Sequence, residues 1–235
     1  MKQSNAVFRT RLSAVALAIA GIFFLLYPAL RPFSDEASMQ GAAAFASSRW
    51  LVAHILAIVA FTLIPVGLLG LYNSLRETAA EGPGYWALLL SMIGVGLTLP
   101  FYGGEAYGLH AIGQASLTQQ SAALLDMAGV VRSGAGLILF ILGLLLLAAA
   151  AIVAAAAVWK SNTYPKWSGV PLAVGFVLYL PQFFGTQPLR VGHGLLVAIG
   201  CLWIAAGLWQ HGRQTEPAGN TVNNTGDRQH RQTAA

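Results

Sequence analysis

The stretch Leu137-Ile138-Leu139-Phe140-Ile141-Leu142-Gly143-Leu144-Leu145-Leu146-Leu147-Ala148-Ala149-Ala150-Ala151-Ile152-Val153-Ala154-Ala155-Ala156-Ala157-Val158 contains no polar side chain. A helix of about 20 such residues crosses roughly 30 Å of hydrocarbon with every backbone hydrogen bond made internally. A membrane strand would instead alternate polar and apolar residues over about ten positions, and no alternation is present. The implied fold class is all-α, a polytopic integral membrane helix bundle. This run reads as a lipid-facing helix that carries no chemistry.

Comparable apolar runs recur on both sides of it. Together they predict six transmembrane helices, at about residues 12–30, 50–72, 85–104, 133–159, 169–186 and 190–209. The chain of 235 residues is 56% hydrophobic and only 9% charged, whereas soluble domains carry about a quarter charged residues. The first run lacks a small-residue cleavage site and reads as a span, not a removed signal peptide. Residues 1–11 are then a short cytoplasmic N-terminus, and 210–235 a disordered cytoplasmic tail too poor in large apolar residues to offset the entropy of ordering. Asn223-Asn224-Thr225 in that tail has the form of a glycosylation sequon, on the wrong side of the membrane for use.

Two links are long enough to hold structure. Ser34 before Asp35-Glu36 signals a helix start, so 32–48 predicts a short surface helix. The link 105–132 mixes Gln114, Gln119, Gln120 and Asp126 with leucine and alanine, which predicts amphipathic helices lying in the interface. Pro65 predicts a kink in the second span.

The formal charge of +5 does not point to nucleic acid, because the basic residues flank the apolar runs as topology signals. An N-in, C-in arrangement puts Lys2, Arg9, Arg11, Arg76, Lys160, Lys166 and Arg213 inside and Arg31, Arg49, Arg132 and Arg190 outside, which the positive-inside rule favours. The implied partners are the lipid bilayer, no nucleic acid, and a second copy of the chain through the glycine-rich span 85–104, where small residues allow close helix approach. Cys201, the sole cysteine, sits in an apolar run and supports neither a disulfide nor a thiolate metal site.

Alternation of the spans gathers several polar residues at one membrane face. His54 opens span two, Tyr102 and Glu105 close span three, His110 comes next, Gln182 ends span five, and Arg190 with His193 opens span six. Ionisable residues at such depth need a partner or a purpose. In the leading reading the cluster is structural or binds a small ligand, with Glu105 paired to Arg190 or to a histidine. The rival is a membrane enzyme holding a divalent metal or haem at His54, Glu105, His110 and His193, residue types that suit zinc but lie at no diagnostic spacing. The leading reading needs no cofactor and is not enzymatic. Serine hydrolysis and phosphate chemistry lack their motifs, and ion-coupled transport lacks a midplane charge.

Arg49-Trp50-Leu51-Val52-Ala53-His54-Ile55-Leu56, with Pro65-Val66-Gly67-Leu68-Leu69-Gly70-Leu71-Tyr72 after it, resembles a pattern common in uncharacterised bacterial multi-pass membrane proteins. There an R-W-x-x-A-H-x-L span opening and a P-x-G-L-x-G-L close recur. The likeness covers mainly spans two and three. It implies a protein of the bacterial inner membrane and transfers no catalytic role.

Overall fold

A computed structural model describes residues 2–214, with side chains from residue 5 onward. Every regular element among them is helical. The α-helices are α1 (Lys2–Leu30), α2 (Met39–Phe45), α3 (Ser48–Leu75), α4 (Glu81–Gly103), α5 (Leu109–Gln119), α6 (Met127–Val131), α7 (Gly134–Ser161), α8 (Val170–Val177) and α9 (Gln187–Gln214). A π turn, Gly104–Gly108, joins α4 to α5, and 3-10 turns cover Ala122–Asp126 and Pro181–Phe184.

Five stretches are long and apolar enough to cross a membrane: Asn5–Leu30, Ser48–Leu75, Glu81–Gln119, Gly134–Ser161 and Gln187–Gln214. The expected fifth span, over 169–186, is not one continuous helix. Its α-helical part stops at Val177, four residues before Pro181, whose ring would strike the Val177 carbonyl if the helix went on. The segment nevertheless lies antiparallel to α9. Tyr164 packs at Gly207, Leu172 at Gly200, Gly175 at Val197 and Gly185 at Leu189.

α1 packs between α9 and α3, α4 packs on α3 and α7, and α8 sits between α7 and α9. The two termini of the described chain meet at one end of the bundle, where Gly212 lies beside Thr10 and Arg11. Inside, Phe24, Phe61, Phe176 and Tyr179 meet edge to face, tilted and, for Phe176 with Tyr179, stacked, at centroid distances of 4.9–6.5 Å, geometries that add to simple burial.

α7 is not merely a lipid-facing rod. Phe140, Gly143, Leu144, Leu147, Ala151 and Ala154 are buried, because α4 crosses it closely at Gly94 and Gly143. A Cβ on Gly94 would lie 2.9 Å from the Gly143 carbonyl oxygen. At least this glycine of span 85–104 is used for packing within the chain.

The links also differ from expectation. Ser38, not Ser34, precedes the first turn of the surface helix, α2. The helix of span three does not end near residue 104; the π turn carries it through to Gln119 as one stretch of 39 residues. Only the remainder of that link, α6 and its 3-10 turn, folds back. α2, α5 and α6 form a crown on the bundle's end around a second apolar core of Ala42, Phe45, Trp50, Leu109, Leu125 and Ala128. Helix α3 continues through Pro65. Helix α1 already begins at Lys2 within the expected N-terminal segment, and α9 runs to Gln214, past the expected start of the tail. The rest of the expected tail, with Asn223-Asn224-Thr225, lies outside the described residues.

Candidate functional site

Where the crown meets the bundle, four charged side chains form a continuous chain. The Glu105 carboxylate receives Arg132 through two bonds, Nε to Oε1 at 2.5 Å and Nη2 to Oε2 at 2.9 Å. Arg132 Nη1 donates to Glu36 Oε2 at 2.5 Å, and Arg31 Nη2 donates to Glu36 Oε1 at 2.7 Å. Two carboxylates thus alternate with two guanidiniums, and the Arg132–Glu105 pair has the bidentate geometry that makes such contacts strong. Burial alone would raise the Glu36 carboxyl, but Arg132 and Arg31 outweigh it and hold the pKa below the ordinary range. Burial likewise opposes the charge on Arg132, and Glu105 with Glu36 more than reverses that.

The π turn explains how Glu105 reaches this position. A π turn inserts one extra residue into a helix and rotates the side chains beyond it. Here Glu105 and Ala106 face inward, and the Glu105 backbone carbonyl accepts the Trp50 indole N–H at 2.7 Å. Trp50 in turn is covered by the Arg31 guanidinium, 4.5 Å above its ring, so backbone, indole and cation lock one another.

His54 lies one turn further along α3. Its Nδ1–H donates to the Trp50 carbonyl at 2.8 Å. The fully buried Nε2 faces Glu105 Oε2 at 3.7 Å and makes no hydrogen bond. Tyr27 and Tyr102 close over the imidazole at ring distances of 5.3 and 6.4 Å, and the Tyr102 hydroxyl bonds that of Tyr179 at 3.0 Å.

A cavity of about 640 Å³ opens beside this chain. Its polar lining is Arg31, Glu36, Glu105, Arg132, Arg190 and Tyr102, and its apolar wall runs from Leu137, Phe140 and Ile141 of α7 to Leu180, Phe183 and Phe184 of the broken α8 segment, with Arg190 beside Phe183 where the two meet. The break is what supplies the second part of that wall. Carbonyls left free by the interruption are taken by Arg190, whose Nε donates to Gly185 O at 3.1 Å and whose Nη2 donates to Phe183 O at 2.5 Å. The guanidinium stands 5.2 Å over the Phe33 ring and 5.8 Å from that of Phe183.

The residues expected at one face therefore divide. Glu105, Tyr102 and Arg190 share the cavity, and His54 touches it through Glu105. Gln182 is buried beside His193 and Arg190 in a narrow crevice. His193 Nε2 donates to the Gly175 carbonyl at 2.8 Å, while His110 Nδ1 donates to Phe45 O at 2.9 Å within the crown. The expected metal set of His54, Glu105, His110 and His193 does not converge. Among the described residues no three His, Cys, Asp or Glu side chains stand where one ion could join them, because two of the imidazoles are tethered to backbone carbonyls of different elements. Glu105 pairs with Arg132, not with Arg190, since the π turn aims it toward the start of α7.

Glu36, Arg31 and Arg132 belong to the site, although as sequence they stand out only as flanking charges. Charge parity at one face is the signal that could find them: Arg31, Arg132, Glu36 and Glu105 all fall at span ends on that face. Comparison of the chain with family models, with curated proteins and with solved structures finds no match.

Proposed function

We propose that this chain is a multi-pass protein of a bacterial cytoplasmic membrane that binds a small amphiphilic ligand in the cavity at its outward end. Six crossings, with both ends cytoplasmic, accommodate this. The interrupted segment 169–186 serves as the fifth crossing, supported by its antiparallel course along α9. The charge chain Glu105, Arg132, Glu36 and Arg31 is structural in this reading: it fastens the crown to the bundle and gives the cavity a fixed polar wall.

The observation that carries the proposal is the cavity itself. Its volume falls in the 300–1,000 Å³ range of ligand sites, and a mainly apolar lining with a few placed polar groups is what such sites use for orientation. A soluble metabolite would gain nothing from the Leu137, Phe140, Ile141 and Phe183 wall, and a plain hydrocarbon nothing from three guanidiniums. A ligand with both characters matches both walls.

The test uses purified protein in detergent and mono-oleoylglycerol as an uncharged amphiphilic probe, with the Leu137→Trp variant to fill the apolar wall. Saturable one-to-one binding that Leu137→Trp abolishes, with the fold retained by circular dichroism, supports the reading. Binding that is indifferent to the tryptophan overturns it, as does failure of every amphiphilic probe, charged or uncharged, to bind. The crossings are tested separately. Cys201 is buried, so in a Cys201→Ala background single cysteines at Ser161 and Thr186 should label from opposite compartments; labelling from one side removes the fifth crossing.

A further inference from the structure

The cavity wall is not electrically neutral. Arg31, Arg132 and Arg190 face it together with Glu36 and Glu105. Two guanidiniums are matched by the two carboxylates in a closed set of ion pairs. Arg190 is left over. Its two hydrogen bonds go to carbonyl oxygens, and it forms no ion pair among the described residues. Carbonyl dipoles and rings offset only part of the charge of a partly buried cation, so a site with no ion pair of its own is open to an anion.

Arg190 is also held ready. The Phe183 and Gly185 carbonyls fix Nη2 and Nε, the Phe33 and Phe183 rings lie 5.2 and 5.8 Å from the guanidinium carbon, and Nη1 donates to none of the described residues. A guanidinium whose orientation is set beforehand loses less freedom on binding an oxyanion and can meet it through two parallel bonds. Phe183, Leu180 and Phe101 continue from that point along the apolar wall, so the same ligand would extend away from Arg190 over hydrocarbon.

We infer that the ligand of this cavity is a monoanionic amphiphile, an oxyanion carried on an apolar chain, and that Arg190 receives the oxyanion while the α7 and α8 wall takes the chain. This rests on the cavity being a ligand site, as proposed above, and names what that site selects. A single surplus positive charge matches one negative charge; a dianion would leave an uncompensated charge at the wall, and an uncharged amphiphile would leave Arg190 unpaired. Two sources share this chemistry: a free fatty carboxylate and the phosphodiester of an anionic membrane lipid.

The experiment compares three probes, oleate, dioleoylphosphatidylglycerol in mixed micelles and mono-oleoylglycerol, on the full chain and on Arg190→Gln and Arg190→Lys. At least one anionic probe should bind tenfold or more tightly than mono-oleoylglycerol. Arg190→Gln should erase that preference, and Arg190→Lys should keep part of it. Circular dichroism checks that Arg190→Gln still folds; should that variant not fold, the Arg190→Lys comparison and the salt dependence of the preference on the parent chain carry the decision. Preference for oleate alone assigns the carboxylate, preference for phosphatidylglycerol alone assigns the lipid phosphodiester, and preference for both assigns the shared oxyanion. If all three probes bind equally to the parent chain, or if Arg190→Gln keeps the preference, the inference is overturned while the cavity reading stands. Failure of every probe to bind takes down the cavity reading itself.

Discussion

Replacing Arg132 by methionine removes the one side chain that touches both carboxylates while keeping most of its apolar volume. The Glu105 side chain is 10% exposed, Arg132 29% and Glu36 31%. Stranding a fully buried partner costs about 3–5 kcal/mol, and the partial exposure of Arg132 puts the Glu105 contribution near the lower end, at about 3 kcal/mol. The contact with Glu36, partly open to solvent on both sides, adds about 0.5–1 kcal/mol. Arg132→Met should therefore destabilise by about 3.5–4 kcal/mol. Glu105→Gln alone should cost less, about 1–2 kcal/mol, because Arg132 keeps Glu36. In the double variant no charge is stranded at the end of α4, so the two effects should fall short of additivity by about 2 kcal/mol. Reversible unfolding in mixed micelles with increasing SDS, monitored by circular dichroism and tryptophan fluorescence, measures all four corners of the cycle. A loss below about 0.5 kcal/mol for Arg132→Met, within the range of an inert surface change, or strict additivity in the double variant, would show that this chain does not fasten the crown to the bundle.

Trp50→Phe keeps the ring against Phe45 and His54 but withdraws the N–H that satisfies the Glu105 carbonyl. It should cost about 0.5–1.5 kcal/mol, since a buried hydrogen bond is lost, and the same unfolding assay reads the loss. Acid should weaken the protein through Glu36: with its carboxyl pKa held below the ordinary value of 4.5, its contribution is complete above that value and is lost as pH falls through the lower folded value. Comparing SDS midpoints across that range should show a steeper acid slope for the parent than for Glu36→Gln, and equal slopes would refute the pairing. A methyl group at Gly113 would sit 2.7 Å from the Ala42 carbonyl oxygen and 2.6 Å from the Ala46 nitrogen. Gly113→Ala should push α5 off α2 at a cost of about 1–3 kcal/mol, visible as faster amide exchange in the crown and unaltered exchange in α1 and α9.

Much of the architecture is legible in the chain because hydrocarbon thickness dictates helix length. The long apolar runs are the long helices, and alternation brings Tyr102, Glu105 and Arg190 to one end of the bundle. What escapes is local. Pro28, Pro65, Pro100 and Pro181 all stand in apolar runs, yet the first three lie inside helices and the fourth comes after one has ended. The difference lies in the partners nearby: Arg190 is at hand to satisfy the carbonyls of Phe183 and Gly185, so unwinding there leaves less unpaired than it would elsewhere. Gly103, Gly104 and Gly108 look like the end of a span, because nothing in a glycine-rich stretch distinguishes a π turn from a loop. The turn is favoured by partners far along the chain, Trp50 for its backbone and Arg132 for its carboxylate, and neither can be read from the stretch itself. Arg31 and Arg132 have a sufficient explanation as topology charges, which conceals their second use as partners of Glu36.

The helical stretch Glu81–Gln119 has a further mechanical meaning. At 1.5 Å per residue its 39 residues reach about 58 Å, nearly twice the thickness of a bilayer's oily interior. Such a mast couples whatever leans on its top to whatever is anchored at its waist, and the waist here is the glutamate gripped by arginine. One and the same turn therefore sets both the tilt of the mast's upper part and the polar face of the hollow beside it.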